Sequence, residues 1–295
     1  MYDIENYYNS GTIKEAVSLL KEHPDARVIS GGSDVLIKIR EGKLAGTSLV
    51  CIRDIKEIKG VKKMDSGDIY IGAGTVFSHL TNDPVIRENI PVLGEAADQV
   101  GGPQIRNVGT IGGNICNGAV SADSVPSLFS YNALLRTSDG AGGRTVPIRD
   151  FYLGPGRVDI QPGEILTHIV IPEKEYRGYQ GHYIKYSMRR AMDIATLSCC
   201  VVSKIDPRKK ILEDIRITFG VAAPVPFRCV KTEEALKGAA VDEKLYQAVE
   251  EKVRQEINPR NSWRASREFR LQIGGEIARR AFVKTAELAA GGDGR

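Results

Sequence analysis

The 295-residue chain is poor in the groups that bind metals or form disulfides. It has five cysteines, an odd number without a C-x-x-C pair, and four histidines that are scattered along the sequence. Neither a zinc or iron–sulfur ligand set nor a disulfide framework is therefore predicted, and the thiols are expected to be reduced and buried. If this protein handles electrons, we expect it to use an organic cofactor or a metal on a partner.

Long hydrophobic runs and strong charge of one sign are also missing. No apolar run approaches the roughly eighteen residues needed to span a membrane. The net charge is only +4, and no block of about five or more like charges occurs, so neither nucleic acid nor a membrane is expected as a partner. Residues 1–5 are acidic where a secretory signal is basic, and a cytoplasmic location is expected.

The composition that remains is that of a globular protein, with 42% apolar and 26% charged residues to build a core and a surface. At roughly 100–200 residues per domain, the length predicts two domains or one large one. Patterns of helices and strands alternate up to a polar, glycine-containing stretch at 173–181, after which three strands precede three helices. We therefore predict an α+β fold, with an α/β domain over residues 1–176 and a smaller antiparallel sheet-plus-helices domain over residues 177–295.

Local patterns place several elements in the first domain. Residues 26–30 predict a short buried strand, and residues 78–89 are helical by pattern. Residues 35–40 fit either a helix or a strand by periodicity. The preceding pair, Ser33 and Asp34, favours a helix because both residue types cap helix N-termini.

The segment that follows the strand at 26–30 resembles a ligand-binding turn. Glycines let a backbone approach a ligand without collision of a Cβ atom, and successive N–H groups before a helix favour an anion. An ordinary structural turn is the alternative. The candidate binding residues of this first glycine loop are Val28, Ile29, Ser30, Gly31, Gly32, Ser33, Asp34 and Val35.

A second glycine-rich stretch, residues 101–118, has six glycines among its eighteen residues. Neither stretch has the spacing of a P-loop or of a Rossmann dinucleotide motif, and the near-match at 72–77 has phenylalanine in place of the third glycine. Two glycine loops in one domain indicate a diphosphate held from two sides, with two structural turns as the alternative. The candidate binding residues of this second glycine loop are Thr110, Ile111, Gly112, Gly113 and Asn114.

No nucleophile–base constellation stands out. Ser121 lies near Asp123 but lacks a G-x-S-x-G elbow. Glu233 and Glu234 lie in a charge-alternating helix and are predicted to face solvent. The arginine-rich run around Trp263 favours a solvated helix start, with an interface for an acidic partner as the alternative. Its members are Arg260, Arg264, Arg267 and Arg270.

The two glycine loops resemble those of the FAD-binding subunits of molybdenum hydroxylases. The similarity continues through residues 102–124 and resumes at 183–193, 219–224 and 262–266, so it extends over essentially the whole chain. It implies an FAD domain of the vanillyl-alcohol-oxidase type in two α/β lobes, followed by a smaller α+β domain. It also implies FAD as the cofactor, with the two glycine loops as its diphosphate loops.

The same resemblance implies an electron relay in a xanthine-dehydrogenase-like complex. In such a complex, a molybdopterin-binding subunit hydroxylates the substrate, [2Fe–2S] clusters of an iron–sulfur subunit pass the electrons on, and FAD delivers a hydride to NAD. Residues 189–194 correspond to the loop that faces the flavin. No catalytic acid or base is expected, because hydride transfer is the chemistry of the flavin. Four further cofactor-contacting positions are implied: Val100, where relatives often carry a larger apolar residue, Asp123, Leu166 and Lys185.

Other functions remain open at this point. A sister hydroxylase acting on carbon monoxide, nicotinate or an aldehyde would use a similar subunit, because the molybdenum subunit chooses the substrate. A non-redox module would use the glycine loops to bind a nucleotide or a phosphorylated ligand. An assembly protein with a vestigial site would bind the partner subunits without flavin.

Overall fold

The computed structural model describes residues 2–291. The chain opens with a lobe of three parallel strands in the order β1-β3-β2, flanked by two helices. Residues 35–40 are helical as predicted, although Asp34 occupies the N-cap position without a side-chain capping bond. The elements of this first lobe are β1 (Ile4–Asn9), α1 (Ile13–Glu22), β2 (Arg27–Ile29), α2 (Val35–Arg40) and β3 (Thr47–Cys51).

A second lobe is built on a five-stranded antiparallel sheet in the order β4-β5-β10-β6-β7. Its helices cover the central strands and enclose the largest apolar cluster of the chain. The elements are β4 (Val61–Lys63), β5 (Ile69–Gly72), α3 (Phe77–Asn82), α4 (Pro84–Asn89), α5 (Pro91–Asp98), α6 (Pro103–Arg106), α7 (Ile111–Cys116), α8 (Val125–Ser130), β6 (Leu134–Ser138), β7 (Thr145–Pro147), α9 (Ile148–Phe151), β8 (Tyr152–Gly154), β9 (Arg157–Val158) and β10 (Ile165–Ile171).

The helical pattern at 78–89 is divided between two helices, α3 and α4. Asp83 separates them in an extended conformation, and its carboxylate accepts the N–H of Val85 at 2.9 Å. Pro84 then occupies the first position of α4, where its missing N–H costs nothing. The apolar periodicity runs through this corner, which explains why the pattern alone does not show it.

The C-terminal domain is a four-stranded antiparallel sheet in the order β11-β12-β13-β14, covered on one face by helices. The predicted α+β fold, an α/β domain followed by an antiparallel sheet with helices, is confirmed. The elements are β11 (Gln180–Tyr186), β12 (Leu197–Asp206), β13 (Ile211–Gly220), β14 (Phe227–Arg228), α10 (Val230–Leu236), α11 (Glu243–Glu256) and α12 (Arg267–Ala289).

Glu233 of α10 does not face solvent, so that prediction is wrong for this residue. Its side chain is 6% exposed and lies 2.8 Å from a guanidinium nitrogen of Arg228. It also accepts the N–H of Ile217 at 2.8 Å. The arginine and the backbone donor compensate for the burial of the carboxylate, a combination that charge alternation along the helix does not reveal.

The two domains are joined by buried polar contacts as well as apolar ones. Arg216 of β13 donates to the carbonyl of Ser130, at the end of α8, at 2.9 Å. The same guanidinium lies 2.9 Å from the carboxylate of Glu175 in the connecting segment. Within residues 2–291, none of the helices combines the length and the hydropathy required for a membrane span.

Candidate cofactor site

A cavity of about 680 Å³ is lined by residues of both lobes of the first domain. Its volume lies within the roughly 300–1,000 Å³ typical of cofactor and ligand pockets. The first lobe contributes the end of β2, the first glycine loop and α2. The second lobe contributes the second glycine loop and a wall between residues 156 and 166. The cavity is therefore a cleft between the lobes and is large enough for a nucleotide cofactor.

The two glycine loops touch each other at the edge of this cavity. A Cβ atom placed on Gly31 would lie 1.9 Å from the carbonyl oxygen of Val108, two residues before the second glycine loop. A Cβ atom on Gly112 would lie 2.6 Å from the carbonyl oxygen of Ala73. Since no side chain fits at either position, glycine is what allows the first loop, the second loop and the end of β5 to converge.

The loops differ in the backbone donors that they offer. In the described part of the chain, the N–H groups of residues 32–35 donate to no protein acceptor. The second loop is already bonded: Ile111 N donates to Thr75 O at 3.0 Å, and Gly112 N to Ala73 O at 2.8 Å. Gly113 N donates to Thr110 Oγ1 at 3.1 Å. The first loop can therefore bind an anion through its backbone, whereas the second supplies close approach and side chains.

Thirteen of the seventeen predicted site residues line the cavity. The other four do not. Ile29 and Ile111 lie in the apolar clusters on the far side of their loops, and Asp123 and Lys185 form a separate buried pair. The residues that line the cavity are Val28, Ser30, Gly31, Gly32, Ser33, Asp34, Val35, Val100, Thr110, Gly112, Gly113, Asn114 and Leu166.

Asp123 and Lys185 form a buried ion pair between the two domains. Their charged atoms are 2.8 Å apart, and the side chains are 8% and 6% exposed. Tyr183 O–H donates to the same carboxylate at 2.8 Å. Burial raises the pKa of Asp123, against the opposing effects of Lys185 and Tyr183. Lys185 also donates to the carbonyl of Gln99 at 2.9 Å. Because Gln99 directly precedes Val100, which lines the cavity, this bond connects the ion pair to the cavity wall.

Lys38 is a cavity residue that sequence reasoning missed. It lies on α2, and its Nζ donates to Asn117 Oδ1 at 2.7 Å. Both side chains line the cavity, and within residues 2–291 no carboxylate forms an ion pair with Lys38. The spacing of four residues from Asp34 places Lys38 on the same helix face as the first glycine loop, and this spacing could have identified it.

The wall at 156–166 was also missed, apart from Leu166. Arg144 holds it from outside the cavity: its guanidinium lies 2.6 Å from the Asp159 carboxylate and 3.0 Å from that of Glu164. Hydrogen bonds from Arg144 lower the pKa of Asp159. Burial opposes ionisation of Glu164, but bonds from Arg144 and Thr137 still lower its pKa overall.

Fold and cavity together define a two-domain protein whose first domain has, between its lobes, a glycine-lined cleft suited to a phosphate-containing cofactor. Two family models match the chain: the FAD binding domain in molybdopterin dehydrogenase over residues 2–174, and the CO dehydrogenase flavoprotein C-terminal domain over residues 182–285. The chain is 38% identical over 292 residues to the xanthine dehydrogenase FAD-binding subunit of Escherichia coli O157:H7, with 99% of each chain covered.

Similarity extends to carbon monoxide dehydrogenases. The chain is 31% identical to the carbon monoxide dehydrogenase medium chain of Afipia carboxidovorans, covering 96% of this chain and 97% of the relative. The solved carbon monoxide dehydrogenase from Hydrogenophaga pseudoflava matches with a TM-score of 0.91 at 28% identity, covering 98% of this chain and 99% of the other. The chain belongs to the family of FAD-binding subunits of molybdenum hydroxylases and is a flavoprotein subunit of the xanthine-dehydrogenase-like type. The predicted family resemblance and the FAD cofactor are confirmed.

Proposed function

We propose that the two glycine loops hold the FAD diphosphate and that the chain relays electrons from [2Fe–2S] clusters of a partner subunit, through FAD, to NAD. The convergence of both loops on one cavity, with Gly31 packed against the Val108 carbonyl, carries this proposal. Two turns with only a structural role would not require the backbones of the two loops to pack so closely beside a cavity of this volume.

FAD supplies the hydride and electron-transfer chemistry when bound, and the protein supplies position and charge. The N–H groups of residues 32–35 donate to the diphosphate, and Lys38 adds a positive charge beside it. Val100 and Leu166 contribute apolar surface to the cavity. The predicted residues Ile29 and Ile111 anchor the loops in the core. Lys185, paired with Asp123, binds the Gln99 carbonyl and thereby positions the neighbouring Val100.

The complex that we propose contains a molybdopterin-binding subunit and a [2Fe–2S] iron–sulfur subunit, acts in the cytoplasm and oxidises purines. Identity of 38% to a xanthine dehydrogenase subunit favours purines. Identity of 31% to a carbon monoxide dehydrogenase medium chain keeps a sister hydroxylase as the second candidate. We also propose that residues 1–176 form the FAD-binding domain and residues 177–295 the second domain.

The cofactor is expected to be held without a covalent bond. Cys116 lines the cavity, but burial raises its pKa to about 12, so it remains a protonated thiol and a poor nucleophile at neutral pH. The purified chain should show a flavin absorbance spectrum with about one FAD per chain, and acid precipitation should release all of it. A folded chain without flavin that still binds a nucleotide would contradict the relay and support the non-redox module.

Gly113 allows the position of the diphosphate to be tested by charge alone. A Cβ atom there meets only Thr110 Oγ1, at 3.0 Å, so Gly113→Asp and its isosteric control Gly113→Asn introduce nearly equal strain. At an effective dielectric of about 20, two like charges about 4 Å apart repel by roughly 4 kcal/mol, which is about a thousandfold in affinity. Titration of the deflavinated variants with FAD should show this loss for Asp and not for Asn. Equal affinities would place the diphosphate elsewhere.

A further inference from the structure

Two short segments expose an unusual amount of apolar surface. Residues 186–194 and 260–269, which we call the arginine–aromatic surface, contain six of the twelve large apolar side chains that are exposed in the described chain. Trp263, the single tryptophan, is 78% exposed. The six side chains are Tyr186, Met188, Met192, Ile194, Trp263 and Phe269.

The two segments are held side by side. The rings of Tyr186 and Phe269 pack with centroids 5.7 Å apart. Arg270, only 2% exposed, donates to Thr196 O at 3.1 Å and to Ser262 Oγ at 2.7 Å. Arg270 is thus a buried brace between the second segment and Thr196, two residues beyond the first segment. This corrects its interpretation as part of a solvated helix start.

The charges of this surface are unbalanced. The two segments contain five arginines, no lysine and only two acids, Asp193 and Glu268. Asp193 is already paired with Arg189 at 3.4 Å. The other four arginines have no carboxylate oxygen within 4.0 Å among residues 2–291. One of them, Arg264, lies over the Trp263 ring at 4.2 Å from its centroid.

This composition is that of a protein interface. Aromatic residues, methionine and arginine are enriched at interfaces and lysine is depleted, while tryptophan, tyrosine and arginine dominate binding energy. A nucleic-acid surface would combine lysine with arginine along a phosphate track and would not need six large apolar side chains. Arginines without counter-charges favour an acidic partner, because opposite potentials speed encounter and suppress wrong partners.

The surface also reaches the cofactor cavity. Met192 N donates to Gly101 O at 3.2 Å. Val100, which directly precedes Gly101, lines the cavity. A subunit docked here would lie close to the FAD site, where an electron donor has to be. We infer that the arginine–aromatic surface docks an acidic, partly apolar face of the electron-donating [2Fe–2S] subunit. The inference rests on the proposed function.

Co-expression with the two partner subunits tests it. Trp263→Ala and the double reversal Arg264→Glu/Arg267→Glu remove the apolar centre and the cationic rim. The control Arg53→Glu/Arg208→Glu changes the net charge equally at exposed positions outside the surface. We expect both surface variants to bind the [2Fe–2S] subunit at least about thirtyfold more weakly, as loss of a hot spot predicts. The charge reversal should be the variant whose defect depends most on salt, and the control should bind normally.

Flavin content separates this test from the proposed function. The variants should retain FAD, because neither Trp263 nor the two arginines line the cavity; a colourless wild-type chain would instead contradict the function itself. Normal retention of the [2Fe–2S] subunit by both surface variants would overturn the inference. So would loss of the molybdopterin subunit alone, self-association that Trp263→Ala abolishes, or nucleic-acid binding that the charge reversal abolishes.

Discussion

Lys38 illustrates how a single residue can matter to the site without belonging to a motif. It lies on α2, and Asn117 orients its ammonium group beside the cavity. A neutral amide fixes the position of the charge without neutralising it. Because hydrogen bonds to charged groups are stronger than neutral ones, such a lysine is well suited to a phosphate.

Replacing this charge should weaken cofactor binding in a salt-dependent way. For Lys38→Met we expect about ten- to a hundredfold weaker FAD binding, since a hydrogen bond to a charged group contributes roughly 1.5–3 kcal/mol. The control is Lys43→Met, at a 70% exposed lysine paired with Glu41. Titration of deflavinated protein at low and high salt measures both effects. Equal affinity of Lys38→Met and wild type would remove Lys38 from the site.

At the residue scale, what the sequence predicts is what depends on local chemistry. Gly31 is recognisable because it lies in a turn directly after a strand, and Gly112 because it belongs to a stretch unusually rich in glycine. Lys38 was not singled out, because a lysine on a short helix is usually a solvated residue. Its bond to Asn117 joins positions 79 residues apart, and no local pattern encodes that pairing.

At the scale of elements, the wall at 156–166 depends on Arg144, the residue directly before β7. Three bonds from one guanidinium fix Asp159 and Glu164, and this segment then closes one side of the cavity. Strand β10, which follows the wall, is a nearly continuous apolar run that a sequence pattern can show. The wall before it has no periodicity, and its shape depends on the ion pairs with Arg144 and on backbone hydrogen bonds such as that from Asp159 N to Phe151 O at 2.8 Å.

The free energy of unfolding at acid pH should depend on the contacts of Arg144 with Asp159 and Glu164, which we call the Arg144 clamp. The two carboxyls have pKa values below their ordinary 3.8 and 4.5. A carboxyl with a lower pKa in the folded state stabilises the fold when ionised, so its contribution is complete above about pH 4.5 and is lost as the pH falls further. We expect the urea concentration at the unfolding midpoint of wild type to decrease as the pH falls below about 4.5. The midpoint of Arg144→Met should already be lower at neutral pH and should change less with pH.

Arg149→Met is the control for that comparison, because Arg149 is an exposed arginine a few residues further along the chain. Its curve should follow that of wild type over the whole pH range. Parallel curves for wild type and Arg144→Met would show that the clamp does not govern the acid transition.

The ion pair of Asp123 and Lys185 joins elements of different domains. Removing one member of a buried pair leaves an uncompensated charge, which costs about 3–5 kcal/mol. We therefore expect Lys185→Met to lower the free energy of unfolding by about that amount in urea. Lys185→Met/Asp123→Asn should recover a large part of it, since the neutral amide still accepts the Tyr183 hydroxyl.

The same variants decide whether Lys185 acts on the flavin. Its charge lies 2.8 Å from that of Asp123, so the pair presents little net charge to the cavity. Reduction of bound flavin by NADH should therefore be near normal in the double variant. A slow reduction in a double variant of wild-type stability would instead show that the ammonium stabilises negative charge on the reduced flavin.

For the whole molecule, the order of domains and most strands could be predicted, because each carries its own hydrophobic period. The helix corner at Asp83, the buried Glu233 and the brace made by Arg270 could not. Each of these depends on a polar partner from another part of the fold. The cavity is intermediate: its loops were visible in the sequence, but the contact between Gly31 and Val108 that unites them is tertiary.

The relay function predicts which reactions the isolated chain catalyses and which require the partner subunits. The isolated chain should pass electrons from NADH to an artificial dye, because that reaction needs only a bound flavin accessible to nicotinamide. It should not oxidise xanthine or hypoxanthine, because hydroxylation of a purine carbon requires the molybdenum centre that we place on a partner. Adding the molybdopterin and iron–sulfur subunits should restore purine-dependent formation of NADH.

Dye reduction after deflavination would show that the activity comes from elsewhere, and turnover of xanthine by the chain alone would contradict the relay. Restored turnover with carbon monoxide or nicotinate, and none with purines, would instead assign the chain to a sister hydroxylase.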